Sequence, residues 1–297
     1  MKMNSNRKMI LAIIAVIVVV AIGAYALYGN FGPKEELKIA TTTSLEDTGL
    51  LEELEAAFES KNPNVDVQFV AVGTGQALEY GRKGDVDLVM VHAKAQEDKF
   101  IEEGYGINRT VFAYNYFYIV GPASDPAKIN GTNATTAFKN IMTSGTADPS
   151  LVSFVSRGDN SGTHTREIQI WNKTGADYNS SIRGQPWYIE TGKGMGDTLT
   201  LANQKNAYTL SDSGTYLAFK GNLTLVPLVT QGKDLLNIYS MIPLNTTKFP
   251  NTNSADADKW IAFVMSDEGQ KIFEEYGKAK YGQTLFTPLA GQPEPTN

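Results

Sequence analysis

Apolar and polar positions along this chain change period repeatedly, and the changes mark out alternating strands and helices. Leu37 to Thr41 reads as a strand. Leu50, Leu51, Leu54, Ala57 and Phe58 then recur at helical spacing up to the Asn62-Pro63 stop. Val65, Val67, Phe69 and Ala71 return to the two-residue period of a strand, and Val86 to Val91 is a continuous apolar run suited to a buried parallel strand. Between them GTGQALEYGRKGD is a Gly-rich turn opening into a short helix, and a further helix is expected from about Ala93 to Glu103. This order is the βαβαβ grammar of a doubly wound α/β domain.

Val111 to Val120 predicts a long strand that carries the chain across to a second unit, where the grammar repeats. A helix is expected near Thr136 to Met142, a strand at Leu151 to Ser156, a helix after Gly162 and a strand around Tyr188. A helix after Gly194 and strands at Ala207 to Leu210 and Leu223 to Val229 complete the unit. Leu235 to Leu244 predicts a second crossover, followed by helices at about Asp256 to Met265 and Glu268 to Tyr276, the latter stopped by Gly277. The fold class is therefore α/β, two doubly wound lobes joined by two crossover strands. One lobe takes residues 37–115 and 241–291, the other residues 116–240, and a ligand is expected in the cleft between them.

Lys2, Arg7 and Lys8 precede an apolar run from Met9 to Leu27. A basic flank before such a run is an export signature, and its nineteen residues would span about 28 Å as a helix. Ala24 to Ala26 suits cleavage, while an uncleaved helix over residues 9–27 would tether the chain to the membrane. Residues 1–28 are thus a signal peptide or anchor, residues 29–36 a linker, and the rest lies outside the cytoplasm. Asn-x-Ser/Thr triplets begin at Asn108, Asn130, Asn133, Asn172, Asn179, Asn222 and Asn245, which is compatible with glycosylation of an exported chain.

The 297 residues are 42% hydrophobic and 20% charged, enough for well-packed lobes. A net charge of -6 excludes the basic footprint of a nucleic-acid binder. With no Cys there is no disulfide, thiolate or lipid-bearing Cys, and His92 and His164 stand in no metal-binding spacing. No cofactor is called for.

What chemistry remains gathers at strand-to-helix turns rich in hydroxyls and Gly. Thr42, Thr43 and Ser44 follow the first strand, where a helix start would offer unpaired N–H groups and hydroxyls to an anion; the same residues also serve as an ordinary N-cap. Thr74 lies in Gly73-Thr74-Gly75, either an anion-facing turn or a plain one. Ser156-Arg157-Gly158-Asp159-Asn160-Ser161-Gly162-Thr163-His164 is more specific. Arg157 supplies a fixed fork of donors, Ser161 and Thr163 supply hydroxyls, and the amides of Ser161, Gly162 and Thr163 point along a new helix axis. Thr191-Gly192-Lys193-Gly194 is a further Gly-rich turn, with Lys193 read as a solvated charge. An enzyme using Arg157 and Ser161 is disfavoured, because no base is placed to activate Ser161 and no paired-carboxylate or metal motif is present.

The segments TTTSLEDTGLL, AVGTGQAL, DVDLVMVHAKAQEDKFIEEGYG, SRGDNSGTH, WYIETGKGMGDTL and AYTLSDSGT, in this order, resemble the tungstate-binding proteins of tungstate ABC importers over essentially all of Leu37 to Leu289. The resemblance implies a type II periplasmic-binding-protein fold, a tungstate or molybdate ion buried between the lobes, and an ABC permease and its ATPase as partners. It puts ligand contacts on Thr42, Thr43, Ser44, Thr74, Arg157, Ser161, Gly162 and Thr163. The Arg-x-Asp-x-Ser-Gly-Thr spacing is also similar to that of phosphate-binding proteins, so a phosphate or sulfate receptor is the alternative. Asp159 is expected behind the contacts, turned away from the anion and bracing Arg157. Ser211-Asp212-Ser213-Gly214-Thr215 departs from the family pattern, where an Arg is expected, and its role stays open.

Overall fold

The computed structural model describes residues 33–295, so the apolar run Met9 to Leu27, with the signal or anchor read from it, lies outside the described residues. Among the described residues no helix is long and apolar enough to cross a membrane. The described residues begin with β1 (Glu35–Thr42), α1 (Thr43–Glu46), α2 (Leu50–Lys61), β2 (Val65–Val72), α3 (Thr74–Lys83), β3 (Leu88–Val91), α4 (Lys94–Glu102) and the long β4 (Thr110–Gly121). It continues with α5 (Ala134–Ala147), β5 (Phe154–Ser156), α6 (Gly162–Lys173), β6 (Tyr188–Glu190), α7 (Met195–Lys205), β7 (Tyr208–Asp212), α8 (Ser213–Phe219) and β8 (Val226–Val229). β9 (Leu236–Pro243), α9 (Ser254–Met265), α10 (Asp267–Glu275), α11 (Lys278–Tyr281) and β10 (Thr287–Pro288) complete it.

Two sheets share β4. In the first, β2, β1 and β3 run parallel, and β9 returns antiparallel beside β3. The first part of β4, Thr110 to Tyr116, pairs with β9, and β10 adds to the same strand. From Phe117 onward β4 changes partners and pairs with β7 and β8, which brings in the parallel set β7, β5 and β6. The crossovers expected at Val111 to Val120 and Leu235 to Leu244 are thus β4 and β9, and they are antiparallel to each other. This topology sets the carboxyl ends of β1, β2 and β3 in a row on one lobe, and those of β5, β6 and β7 in a row on the other. In open α/β sheets that edge is where ligands bind.

Apolar burial follows the periodicity. α2 buries Leu50, Leu51, Leu54 and Phe58, and Phe58 packs edge-on against Trp260 of α9 with ring centroids 5.1 Å apart. Phe69 and Phe263 close the same cluster. In the second lobe Trp171 stands between Phe138, Phe154 and Trp187.

The segment after β1 departs from expectation. The helix expected to open at Thr43 is a single turn, α1, and α2 starts afresh at Leu50 after Gly49, whose φ of 78° is left-handed. Thr48 Oγ1 receives Leu50 N at 3.2 Å and donates to Leu45 O at 2.7 Å, closing the break. A Cβ at Gly49 would lie 2.8 Å from the Tyr276 hydroxyl, which itself donates to Thr48 O, so a residue more than two hundred positions away fixes this turn. So short a helix carries little dipole. What Thr42, Thr43 and Ser44 offer is therefore their hydroxyls. The linker reading also ends early, since β1 pairs with β2 from Glu35 onward, and the strand expected from Leu151 shortens to Phe154–Ser156, leaving Leu151 61% exposed.

Removing the indole that joins α2 to α9 leaves a cavity that the rigid sheet behind it does not fill. Trp260→Ala is expected to lower stability by about 3 to 5 kcal/mol, measured as the shift of the urea unfolding midpoint against the unaltered chain.

Candidate functional site

Each lobe contributes turns from its row of strand ends. After β1 come Thr42, Thr43 and Ser44; after β2, Gly73 and Thr74; after β3, His92. From the other lobe, the Arg157 to Thr163 turn follows β5, the Thr191 to Gly194 turn follows β6, and Asp212 ends β7. The rows face each other in contact. A Cβ at Gly73 would lie 3.2 Å from Asp159 Oδ2 and 3.3 Å from Ser161 Cβ, and one at Gly194 would lie 3.5 Å from Thr43 Oγ1. Gly75 N donates to Asn160 O at 3.4 Å, and Gln96 Nε2 donates to Thr165 Oγ1 at 2.7 Å. On the opposite wall Gly196 N, in the first turn of α7, donates to Asp47 Oδ2 at 3.1 Å, and Thr215 Oγ1 lies 3.4 Å from Ser44 O.

Within this contact six of the sequence-selected residues have one property in common. Thr42 Oγ1, Thr43 Oγ1, Ser44 Oγ, Thr74 Oγ1, Thr163 Oγ1 and Arg157 NH1 are buried, yet none has a hydrogen-bond partner among the described residues. Buried polar groups are otherwise almost always paired, and leaving one unpaired costs about 1 to 3 kcal/mol. So many unpaired donors from both lobes in one region call for a common acceptor. Ser161 is placed differently: its hydroxyl caps α6 by accepting His164 N at 3.2 Å, and its own amide donates to Asp159 Oδ1 at 3.1 Å. The Ser161 amide is therefore committed within the loop. Gly162 and Thr163, the first residues of α6, keep amides that no helix carbonyl can accept.

Arg157 is buried to 1% exposure. Its Nε and NH2 donate to Asp159 Oδ2 at 3.1 and 2.6 Å. The carboxylate thus grips one side of the guanidinium, fixes its plane and leaves NH1 as the free donor. Thr191 Oγ1 and Gly192 N bind the Arg157 carbonyl at 3.2 and 2.8 Å, so the Gly-rich turn after β6 supports the Arg157 backbone. Lys193 is exposed.

Sequence reasoning missed three groups here. Asp212, in the segment whose role stayed open, caps α8 by accepting Thr215 N and Oγ1, both at 2.8 Å, and borders both Ser44 and Arg157. Burial raises its pKa above the ordinary carboxylate value. The signal was present, because Asp-Ser-Gly-Thr after a strand has the same capping grammar as the Arg157 loop. Asp47 has its carboxyl pushed up to about 6, mainly by burial, with Asp212 and Asp197 adding repulsion and the Gly196 amide and Arg157 opposing. His92 is pushed down to about 3 by burial and by Arg157, so it is neutral. Asn237 Nδ2 donates to Asn115 Oδ1 and Tyr239 Oη at 2.9 and 3.0 Å, so Asn237 Oδ1 accepts from His92 Nδ1–H at 2.9 Å. That leaves His92 Nε2 a buried acceptor without a partner. Gly162 fits against this ring: a Cβ there would lie 2.6 Å from His92 Cε1 and 3.0 Å from its carbonyl oxygen.

A model of the PBP superfamily domain matches residues 32–268. The tungstate-binding protein TupA of Peptoclostridium acidaminophilum is 39% identical over 262 residues, covering 87% of this chain and 87% of that protein. Among solved structures, the tungstate ABC transporter from Geobacter sulfurreducens aligns with a TM-score of 0.71 at 46% identity, covering 82% of this chain and 100% of that one. The tungstate-binding protein TupA from Desulfovibrio alaskensis aligns with a TM-score of 0.69 at 40% identity, covering 86% and 99%. Turns at facing strand ends, the unpaired donors they bring together and these matches agree: this chain belongs to the PBP superfamily, within the group that contains the TupA tungstate-binding proteins.

Proposed function

We propose that this chain is the extracytoplasmic receptor of an ABC importer and that it holds tungstate, with molybdate as a close second ligand, between its two lobes. The observation that carries the reading is the set of buried, unpartnered donors from both lobes: the hydroxyls of Thr42, Thr43, Ser44, Thr74 and Thr163 and Arg157 NH1. A desolvated dianion needs many donors in place of water, and the amides of Gly162 and Thr163 extend the set, with Ser161 shaping the helix start. Asp159 stands behind Arg157, committed to it and to the Ser161 amide. The relatives named as tungstate-binding supply the ion's identity. The lobes are drawn as residues 37–115 with 241–291 and residues 116–240, and an ABC permease with its ATPase is the partner that such a receptor delivers to. A tether through residues 9–27 rests on the basic flank and apolar run alone. Glycosylation fits some triplets less well than others: Asn245 already uses both ends of its amide, to Gly104 O and from Thr247 N.

A phosphate-binding reading draws on a different observation. Hydrogen phosphate brings a proton that needs an acceptor, and His92 Nε2 is a buried acceptor in this region. Calorimetric titration with tungstate, molybdate, sulfate and phosphate in turn separates the two. The expected outcome is one-to-one binding of tungstate, much tighter than sulfate; a flat tungstate titration or a preference for phosphate sinks the tungstate assignment. In the same assay Arg157→Ala should weaken tungstate binding more than tenfold, since a charge-assisted contact of about 1.5 to 3 kcal/mol is lost. Unchanged affinity would remove Arg157 from the site.

Asp47 gives the pH dependence. Its carboxyl titrates at about 6 with the lobes in contact, above its ordinary value of 3.8, so the charged form opposes closure. That opposition is complete above pH 6 and fades as the pH falls toward the ordinary value. Tungstate should therefore bind more tightly at about pH 5 than at pH 7. Asp47→Asn, which keeps an acceptor for Gly196 N without the charge, should tighten binding at pH 7 by about threefold or more and flatten the slope. Weaker binding by Asp47→Asn at pH 7 would show that the charge favours closure.

A further inference from the structure

The turn from Arg157 to Ser161 contains two left-handed residues, Gly158 with φ 63° and Asn160 with φ 58°. Glycine adopts that conformation freely; a residue with a side chain needs something to hold it there. At Gly158 the amide donates to Ser156 Oγ at 3.1 Å, and Ser156 Oγ in turn donates to the buried Glu167 carboxylate at 2.6 Å. At Asn160 the amide donates to His164 Nδ1 at 3.0 Å. The protons around this imidazole are then fixed. Nδ1 accepts and is bare, so Nε2 carries the hydrogen and donates to Tyr178 Oη at 2.9 Å, which donates onward to Glu190 Oε1 at 3.1 Å. His92 has the opposite arrangement, with its hydrogen on Nδ1. The two histidines of the chain are thus different tautomers with different tasks.

Holding Asn160 in this way has consequences on both sides. Its carbonyl reaches the facing lobe and accepts Gly75 N and Gln96 Nε2, each at 3.4 Å. The next residue, Ser161, caps α6 and so sets where the Gly162 and Thr163 amides lie. We propose that His164 is a positioning residue of the anion-binding turn: its bare Nδ1 holds Asn160 left-handed, which places both the start of α6 and the point where this lobe meets the other. His164 touches no ligand in this scheme, and the proposal rests on the oxyanion-receptor reading for its effect on affinity. The charged and titratable groups facing the ring are Asp159, Glu190, Arg183, Arg157 and Tyr178. Burial outweighs the carboxylates and lowers the pKa of His164, so the bare Nδ1 persists through neutral pH.

The test compares two substitutions in the full chain. His164→Asn puts an amide oxygen, bonded to Cγ as Nδ1 is, where it can accept Asn160 N, whereas His164→Leu fills the space without an acceptor. Tungstate affinity of His164→Asn is expected within about threefold of the unaltered chain, and that of His164→Leu more than tenfold weaker, both folded by circular dichroism. On acidification the unaltered chain should lose affinity relative to His164→Asn as Nδ1 takes a proton; the ratio of the two dissociation constants at each pH cancels the contribution of Asp47. Equal binding by His164→Leu and the unaltered chain, or equal loss in both variants, overturns the proposal. A second readout does not depend on ligand. In the unaltered chain labelled with ¹⁵N-histidine, one imidazole should show bare Nδ1 and protonated Nε2 and disappear in His164→Asn. Finding the hydrogen on His164 Nδ1 overturns the proposal even if the leucine variant fails to fold. If the unaltered chain binds none of the four anions yet the tautomer is as stated, the receptor reading has failed and the turn geometry stands.

Discussion

Arg157 is a cation with almost no exposure, and the way it is held governs the rest of the site. A buried guanidinium must be neutralised and its N–H groups satisfied, or its desolvation is uncompensated. Asp159 meets that need with one oxygen on two nitrogens, and its other oxygen takes the Ser161 amide. The pair is internal to a five-residue turn, so it closes that turn on itself and leaves Arg157 NH1 pointing out of the arrangement as an unpaired donor. Near charge neutrality also explains how a chain of net charge -6 can present donors to an anion. The attraction comes from local dipoles and not from the field of the whole molecule.

Around this pair the lobe builds outward in layers of hydrogen bonds. Ser156 and Glu167 fix one end of the turn and His164 and Tyr178 fix the other. Glu167 is pushed up to about 7 by burial, although Ser156, Tyr188 and Trp171 all donate to it. A carboxyl kept so dry is a rigid support that water does not loosen. It ties β5, β6 and α6 together through Ser156, Tyr188 and Trp171, which lie on those elements in turn. The turn is therefore seated in the aromatic core of its lobe and does not hang from the surface as most loops do.

How much of this was legible in the sequence depends on whether the cause was local. β2, with Val65 and Val67 on its inner face, and α2, with Leu50, Leu54 and Phe58, announce themselves because one periodicity creates them. The Arg157 turn was legible because Arg, Asp and Ser-Gly-Thr at one strand-to-helix junction are more than capping requires. The break between α1 and α2 was not, since it depends on the Tyr276 hydroxyl reaching Thr48 from the far end of the chain. Asp47, His92 and Asp212 were missed for the same kind of reason. An Asp after a single helical turn looks like a surface residue until the other lobe covers it, and a His ending an apolar strand looks like any other until Asn237 fixes its tautomer.

His92 is tied to the crossover strands β4 and β9 through Asn237. Asn115 and Asn237 face each other in register on β4 and β9, two residues before β4 changes its partner from β9 to β7 at Phe117. Both are buried, and a buried amide at the bend of a sheet has to keep its hydrogen bonds. Asn237 does so by donating to Asn115 and Tyr239 and by accepting from His92. His92 stands at the end of β3 against Gly162 of the other lobe, so buried hydrogen bonds run from the crossover strands to a ring that packs against the start of α6. A side chain at Gly162 would meet the His92 carbonyl as well as the ring. The close approach of the lobes at this point is thus set by backbone as well as by a movable side chain, and glycine is what allows α6 to begin there.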